Sequence, residues 1–97
     1  MTEHGRTDGN QTAIVAALRK AGCLVESIAD VGNGVPDLLV GFMDGLVPCL
    51  VVMEVKMPNG RLTDKEKAFA TRWAGLKDKL YFVVRSPEEA LKKIGKA

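Results

Sequence analysis

Apolar residues recur along the chain with two kinds of spacing, and each predicts its own kind of element. Spacing of three or four residues, as at Ile14 and Leu18, indicates helices, whereas alternation or a short apolar run indicates strands. Positions 50–53 are apolar throughout, which predicts a strand covered on both faces, with Pro48 at its start. The predicted elements are helix 8–21, strand 23–28, strand 37–42, strand 49–56, helix 63–76, strand 80–85 and a last helix from 86 to 95.

This order predicts an α/β fold, a mixed sheet flanked by helices. Thr7 or Asp8 can cap the first helix, and Thr63 with Glu66 forms a capping box at the start of the second. Three apolar residues of the second helix share one face and are interpreted as core: Phe69, Trp73 and Leu76.

Length and composition exclude several classes of protein. With 97 residues, 46% of them hydrophobic and 27% charged, the chain has room for one ordinary domain spanning 1–97. No apolar stretch approaches the roughly 20 residues of a membrane span, and the start lacks a secretory signal, so we expect a cytoplasmic protein without membrane contact. Cys23 and Cys49 are expected to be buried and reduced. His4, in an N-terminus expected to be mobile, is the sole histidine, which argues against a zinc site or a catalytic triad.

Charge is unevenly distributed along the chain. Residues 1–55 carry 3 basic and 7 acidic side chains, a net charge of −4, whereas residues 56–97 carry 11 basic and 5 acidic ones, a net charge of +6. Basic groups that share a face would attract a polyanion, although an ordinary solvated surface explains the same numbers.

One cluster of polar residues falls where buried strands end. Glu54 and Lys56 lie two positions apart at the end of the apolar strand, so they point to the same face. The Asp44-Gly45 turn brings Asp37 back beside them in a hairpin. Two adjacent carboxylates repel each other, and Mg²⁺ removes that conflict, with the Val55 carbonyl as a further oxygen ligand. A salt bridge of purely structural importance is the alternative.

Lys56 has two possible tasks in such a site. Its side chain could orient or deprotonate the attacking water, or it could bind the scissile phosphate of a nucleic acid. Both tasks belong to the metal-assisted hydrolysis of a phosphodiester.

Three segments together resemble a known family. Gly34 to Val40 reads G-V-P-D-L-L-V, Glu54 to Lys56 reads E-V-K, and Leu62-Thr63 opens a helix. This arrangement is similar to the VRR-NUC family (virus-type replication-repair nucleases) of the PD-(D/E)XK nuclease superfamily, over about residues 8–91. The resemblance implies a restriction-endonuclease-like αβββαβ core with an added C-terminal helix. The small size is similar to stand-alone phage members, which implies a phage or prophage protein in a bacterial host.

The resemblance also assigns roles to residues. Asp37 and Glu54 match the family's metal-binding acids, Val55 matches the residue whose backbone oxygen completes the metal site, and Lys56 matches the catalytic lysine. Gln11 stands where many members have a supporting glutamate; an amide there can hold a metal-bound water but adds no charge, which argues against a second metal. Glu66 stands where members often have glutamine, and its capping role explains it as well as a role near the site does.

The resemblance implies a Mg²⁺-dependent DNA endonuclease, with Mn²⁺ as a substitute, that prefers branched DNA. Two symmetric cuts at a four-way (Holliday) junction need two sites, so a homodimer is expected. The candidates for phosphate contacts are Arg61, Lys65, Lys67 and Arg72. A solvated helix face is the alternative for these basic residues. A non-catalytic nucleic-acid-binding module, or a phage accessory protein acting on a host partner, remains the alternative function.

Overall fold

The computed structural model describes residues 9–76 and 79–96, within which the predicted order of elements is confirmed. The two candidate caps of the first helix, Thr7 and Asp8, and also His4, lie outside this range. A short 3-10 turn, Ala29–Val31, separates the first two strands. The helices and strands are α1 (Gly9–Lys20), β1 (Leu24–Ser27), β2 (Leu38–Asp44), β3 (Val47–Val55), α2 (Asp64–Arg72), β4 (Tyr81–Val84) and α3 (Pro87–Lys93).

The four strands form one mixed sheet in the order β1-β2-β3-β4. β1 pairs with β2 and β2 with β3 in antiparallel fashion, whereas β3 and β4 run parallel. A parallel pair needs a crossover connection, and α2 provides it. The predicted α/β class, with a mixed sheet flanked by helices, is therefore confirmed.

The hydrophobic core lies between one face of the sheet and the helices α1 and α3. Ile14 and Leu18 of α1 are fully buried against Val40, Met53 and Val84 of the sheet. Removing each such side chain from water contributes about 1.5–3 kcal/mol, so this face accounts for much of the stability. The two strands at whose ends the candidate site lies, β2 and β3, are fixed by this core.

Helix α2 packs on the opposite face of the sheet. Successive strand residues face opposite sides, so Tyr81 points away from the core against which Phe82 packs. Phe69 of α2 lies over Tyr81, with ring centroids 5.7 Å apart. The helix ends before Trp73, and the chain then turns, so the prediction that the helix reaches residue 76 is wrong. Trp73 stacks on Phe69 and is 36% exposed, and Leu76 is 44% exposed; neither is a core residue.

Pro48 is the second residue of β3, which agrees with its predicted place at the start of the strand. The Val52 N–H donates to the Leu80 carbonyl on the β4 side, and strand alternation directs the Pro48 nitrogen to the same side. The pairing with β4 begins at Val52, so the proline occupies a stretch of strand with no partner on that side. Its missing N–H therefore costs no ladder hydrogen bond.

One half of the sheet is open on the α2 face. Leu50 is 57% exposed, so the prediction that β3 is covered on both faces is wrong at this position. Leu24 of β1 and Met43 of β2 lie on the same face and are 76% and 50% exposed. α2 covers only the end of the sheet near Tyr81. We call the face that carries these three side chains the open half of the sheet.

Both cysteines are free thiols, as expected. Cys23 is buried as predicted, but Cys49 is only half-buried, so the prediction of burial is wrong for Cys49. No helix within the described part of the chain is long and apolar enough to cross a membrane.

Candidate active site

Asp37 and Glu54 meet where β2 and β3 emerge from the core. In the hairpin, Leu38 pairs with Met53, so the next pair beyond them is Asp37 and Glu54. The Oδ2 atom of Asp37 accepts a 2.8 Å hydrogen bond from the Val55 N–H, which fixes the carboxylate against β3. Glu54 is only 2% exposed. The structure therefore brings the two predicted metal-binding acids together in a site with little solvent.

Burial and mutual repulsion raise the pKa of both acids. For Glu54, burial is the largest cause and the neighbouring charge of Asp37 the next, and together they raise the pKa to about 9. Burial also raises the pKa of Asp37, although the hydrogen bond from Val55 partly offsets it. Two ionised carboxylates in such a site are unfavourable without a cation between them.

The Lys56 ammonium forms a salt bridge with a carboxylate that is not among the predicted metal ligands. Its Nζ atom lies 2.8 Å from Oε1 of Glu66 and 3.8 Å from Oε2 of Glu54. The prediction that Glu54 and Lys56 share a face is thus in agreement with the geometry. The contact with Glu66, the shorter of these distances, leads to α2 and not to the hairpin.

Glu66 is part of the site and also caps α2. Its Oε1 accepts the Thr63 N–H at 2.7 Å, and its own N–H donates to Oγ1 of Thr63 at 3.2 Å, which completes the predicted capping box. Burial alone would raise the pKa of Glu66, but the hydrogen bonds from Lys56 and Thr63 outweigh it and lower the pKa. One oxygen atom therefore serves both the helix start and the lysine.

The glycine-rich loop before Asp37 sets the position of α2. Gly34 has a φ of +82°, and a Cβ built there would overlap the backbone carbonyl of Lys65 in the first turn of α2. The absence of a side chain lets the loop and the helix approach each other closely. The helix that carries Glu66 is therefore held against the loop that delivers Asp37.

The first helix is anchored to the site through Asn10, not through Gln11. The Asn10 side chain donates from Nδ2 to the carbonyls of Lys56, at 2.8 Å, and Arg85, at 2.6 Å. Gln11 is 7% exposed and lines a groove beside Val25 of β1. No hydrogen bond within residues 9–76 and 79–96 joins the Gln11 amide to the acid pair, and its supporting role stays a prediction.

The basic residues predicted to contact phosphate are all exposed: Arg61, Lys65, Lys67 and Arg72. Lys65 and Arg72 are seven positions apart and lie on one flank of α2, whereas Lys67 is rotated from Lys65 by about 200° and lies on the other flank. The Arg72 guanidinium also lies over the Phe69 ring, 5.5 Å from its centroid. The structure thus separates Lys67 from the other two helix positions.

The oxygen atoms at the site suit Mg²⁺ or Mn²⁺. Mg²⁺ binds through one or two carboxylates and keeps several waters, so Asp37 and Glu54 are sufficient acidic ligands. The N–H and C=O of a strand residue point to the same side, so the Val55 carbonyl faces the side of Asp37 as its N–H does. No group of three or more His, Cys, Asp or Glu side chains that could hold a metal was found in the described segments. The donor set is therefore two carboxylates and a backbone oxygen.

Comparison with known proteins gave one informative similarity. The chain matches no protein-family model and no curated protein. A solved structure titled "VRR_NUC domain" is similar to it, with 26% sequence identity over 97% of this chain and 96% of that one and a TM-score of 0.67. The similarity extends over the whole sheet and its helices, and it suggests a nuclease of the PD-(D/E)XK type.

Proposed function

We propose that this chain, whose similarity to the VRR_NUC domain structure supports membership of the VRR-NUC family, is a Mg²⁺-dependent DNA endonuclease. The observation that carries the proposal is the pair of adjacent carboxylates, half-buried Asp37 and buried Glu54, whose pKa values are raised, with the Lys56 ammonium 3.8 Å from Glu54. A purely structural ion pair would gain nothing from a second carboxylate in a nearly solvent-free site. A divalent cation turns this unfavourable arrangement into a binding site.

Asp37, Glu54 and the Val55 carbonyl would hold the cation. A bound Mg²⁺ supplies Lewis acidity and neutralises charge on the phosphoryl group. The Asp37 carboxylate keeps its orientation through the Val55 N–H, and Glu54 is held rigid by burial. The protein thus contributes a fixed geometry and a dry environment, in which electrostatic interactions are stronger than in water.

Lys56 acts next to this pair. Its Nζ donates hydrogen bonds, and Glu66 holds it at the position from which it can orient the attacking water or contact the scissile phosphate. Glu66 is in turn fixed by Thr63 at the start of α2. The position of the lysine therefore depends on how α2 is seated.

DNA recognition on this surface is by charge and shape. Lys65 and Arg72 on one flank of α2, with Arg61 in the approach to the helix, are the proposed phosphate contacts, and Lys67 contributes from the other flank. Binding that rests on such contacts weakens steeply as salt rises. We place branched DNA first among substrates, with a homodimer supplying the two sites that a four-way junction needs.

Cleavage of labelled DNA tests the proposal. Purified protein is incubated with four-way junction, flap and duplex DNA in Mg²⁺, in Mn²⁺ and without divalent cation. We expect metal-dependent cleavage that Glu54→Gln abolishes, because the substitution removes one of two charged ligands. Cleavage that survives Glu54→Gln would come from a contaminant or another site and would overturn the assignment.

A second variant separates a nuclease from a binding protein that has the same fold. Lys56→Ala should abolish cleavage while DNA binding, measured by fluorescence anisotropy, stays within a few-fold of wild type. A wild-type protein that binds DNA tightly but never cleaves it would instead be a non-catalytic binding module.

A further inference from the structure

Arg85 lies beside Lys56 at the end of the sheet and is not among the residues of the proposed metal site. Val55 pairs with Val84 in the parallel β3–β4 ladder, so the next residues, Lys56 and Arg85, are neighbours on adjacent strands. The Lys56 N–H donates to the Val84 carbonyl at 3.0 Å, which continues the ladder to this point. By strand alternation Arg85 shares the α2 face with Glu54 and Lys56.

Among the described residues, the Arg85 guanidinium is held by one hydrogen bond, to a backbone carbonyl. Nη2 donates to the Gly60 carbonyl at 3.1 Å, and the side chain is half-buried. Within residues 9–76 and 79–96 no carboxylate forms a salt bridge with it. An arginine has five N–H donors, so the donors other than the one on Gly60 are available to a ligand.

The loop that holds Arg85 also contacts Lys56. A Cβ built on Gly60 would lie 3.4 Å from the Lys56 Cβ, so Gly60 packs directly on the lysine. The Arg85 backbone is fixed as well, because its N–H donates to Glu89 at 2.7 Å and its carbonyl accepts from Asn10 at 2.6 Å. Backbone and guanidinium are therefore both oriented before any ligand binds.

An oriented, half-buried guanidinium with no acidic partner in the described part of the chain matches the chemistry of phosphate binding. The planar fork of arginine fits two oxygens of a phosphate at once, and a preordered side chain loses less entropy on binding. Across the sheet the order is Asp37 on the β2 side, then Lys56 on β3, then Arg85 on β4. With strands about 4.8 Å apart, Arg85 lies within one nucleotide's reach of the cation-binding pair.

We propose that Arg85 binds the DNA backbone phosphate within one nucleotide of the cleaved bond, with Gly60 as the acceptor that orients it. The proposal rests on the nuclease function proposed above, which it extends by a substrate contact. Unlike the exposed basic residues of α2, Arg85 is preordered. Its main effect is therefore to fix the position of the cut strand in the site, and it contributes less to the general attraction between protein and DNA.

The test compares Arg85→Ala and Arg85→Lys with Arg19→Ala. Arg19 is a matched control, because its guanidinium also donates to a backbone carbonyl, that of Val25, at 2.9 Å. Arg19 lies nine residues after Asn10 in α1, so it is about 13 Å along the helix from the residue that contacts the site. Cleavage is measured in single-turnover reactions with Mg²⁺, and DNA binding is measured over a range of salt concentrations without Mg²⁺.

We expect Arg85→Ala to slow cleavage tenfold or more and to reduce the slope of log affinity against log salt by about one unit. Arg85→Lys should keep the salt slope but recover cleavage only in part, since lysine cannot form the two-pronged contact. Arg19→Ala should behave as wild type in both assays.

DNA with a single neutral methylphosphonate distinguishes a phosphate contact from a structural role. When the neutral group replaces the contacted phosphate, the difference between wild type and Arg85→Ala should disappear. A penalty that persists at every position near the cut, or an Arg85→Ala protein that matches Arg19→Ala, would overturn the proposal. If wild type never cleaves but binding still depends on Arg85 and on one phosphate, the contact stands and the nuclease function fails.

Discussion

At the scale of single residues, the Glu66 carboxylate links folding to chemistry. Its Oε1 accepts from the Thr63 N–H at 2.7 Å and from the Lys56 ammonium at 2.8 Å. A capping box is a common way to start a helix, and here its acid also positions the lysine beside two other acids. Sequence alone could identify the cap but not this second contact, because the contact depends on where α2 is seated.

Substitutions at Glu66 and Thr63 separate the two tasks. Thr63→Ala removes only the cap and should cost about 1 kcal/mol of stability with little change in cleavage. Glu66→Gln keeps an acceptor for both donors and should lower cleavage a few-fold, whereas Glu66→Ala should lower it tenfold or more. Thermal melts and single-turnover rates measure both effects. Equal cleavage by Glu66→Ala and Thr63→Ala would mean that Glu66 is only a cap.

The environment of the acid pair, Asp37 and Glu54, should make the stability of the protein depend on pH in an unusual way. The pKa of Glu54 rises from 4.5 to about 9 on folding, so the native state favours the protonated form. In the metal-free protein, the contribution of Glu54 to the free energy of unfolding is therefore fully present below about pH 4.5. This contribution is lost as the pH rises from there towards 9.

Melting temperatures measured without divalent cations should therefore fall across this range in wild type. They should change less in Glu54→Gln, which has no group to ionise at that position. A larger stabilisation by Mg²⁺ at pH 8 than at pH 5 should accompany this, because only the ionised pair binds it well. Identical pH profiles for the two proteins would contradict the environment described for Glu54.

At the scale of elements, the site depends on the approach of the glycine loop to α2. A Cβ at Gly34 overlaps backbone atoms of Lys65, and the positive φ adds strain for any side chain. Gly45 also has a positive φ, +62°, but a Cβ there meets nothing within 4 Å. The two glycines therefore differ in steric contact and share the backbone conformation.

Gly34→Ala should displace α2, lower the melting temperature and abolish most cleavage, because Glu66 moves away from Lys56. Gly45→Ala should cost about 1–2 kcal/mol for the left-handed conformation alone and leave cleavage unchanged at a temperature where it is folded. Similar cleavage by the two folded variants would show that the loop contact does not position the site.

Local patterns predicted the elements well where one face of each is buried. Ile14 and Leu18 of α1 are completely buried, and the Asp44-Gly45 hairpin pairs Leu38 with Met53, which is what brings the acids together. The errors arise from tertiary context. Leu50 is apolar yet exposed, because α2 stops before Trp73 and does not extend over that part of the sheet.

Two site residues could not be found by pattern. Asn10 and Arg85 act through backbone carbonyls of distant segments, Lys56 and Gly60, and such contacts leave no regular spacing in the sequence. The acid pair and the lysine were predictable, since they are adjacent on a single hairpin whose turn and register are local properties.

At the scale of the whole molecule, the open half of the sheet is the surface we propose for the homodimer. Leu24 and Leu50 flank Gly41, where a Cβ would lie 3.9 Å from Leu24 Cβ and 3.8 Å from Leu50 Cδ1, so the apolar surface is continuous. Contiguous exposed apolar side chains are typical of homodimer interfaces, and a specific interface of standard size buries about 800 Å² per partner. A second copy is the partner that two symmetric cuts require.

Light scattering should give the mass of a dimer for wild type. Leu50→Arg should shift the protein towards the monomer, because it places a charge in the centre of the contact. Val31→Arg is the control, since Val31 is 60% exposed but lies in the 3-10 turn away from this face. A monomeric wild type, or a Leu50→Arg variant that remains dimeric, would contradict this interface.

The most direct test of the central claim is a crystal structure with Mn²⁺, examined by anomalous scattering. We expect one strong peak per chain within coordination distance of the Asp37 and Glu54 carboxylates and the Val55 carbonyl oxygen, and we expect Glu54→Gln to lose it. A wild-type map with no peak between these groups, or with the ion bound elsewhere, would contradict the claim that they form a shared metal site.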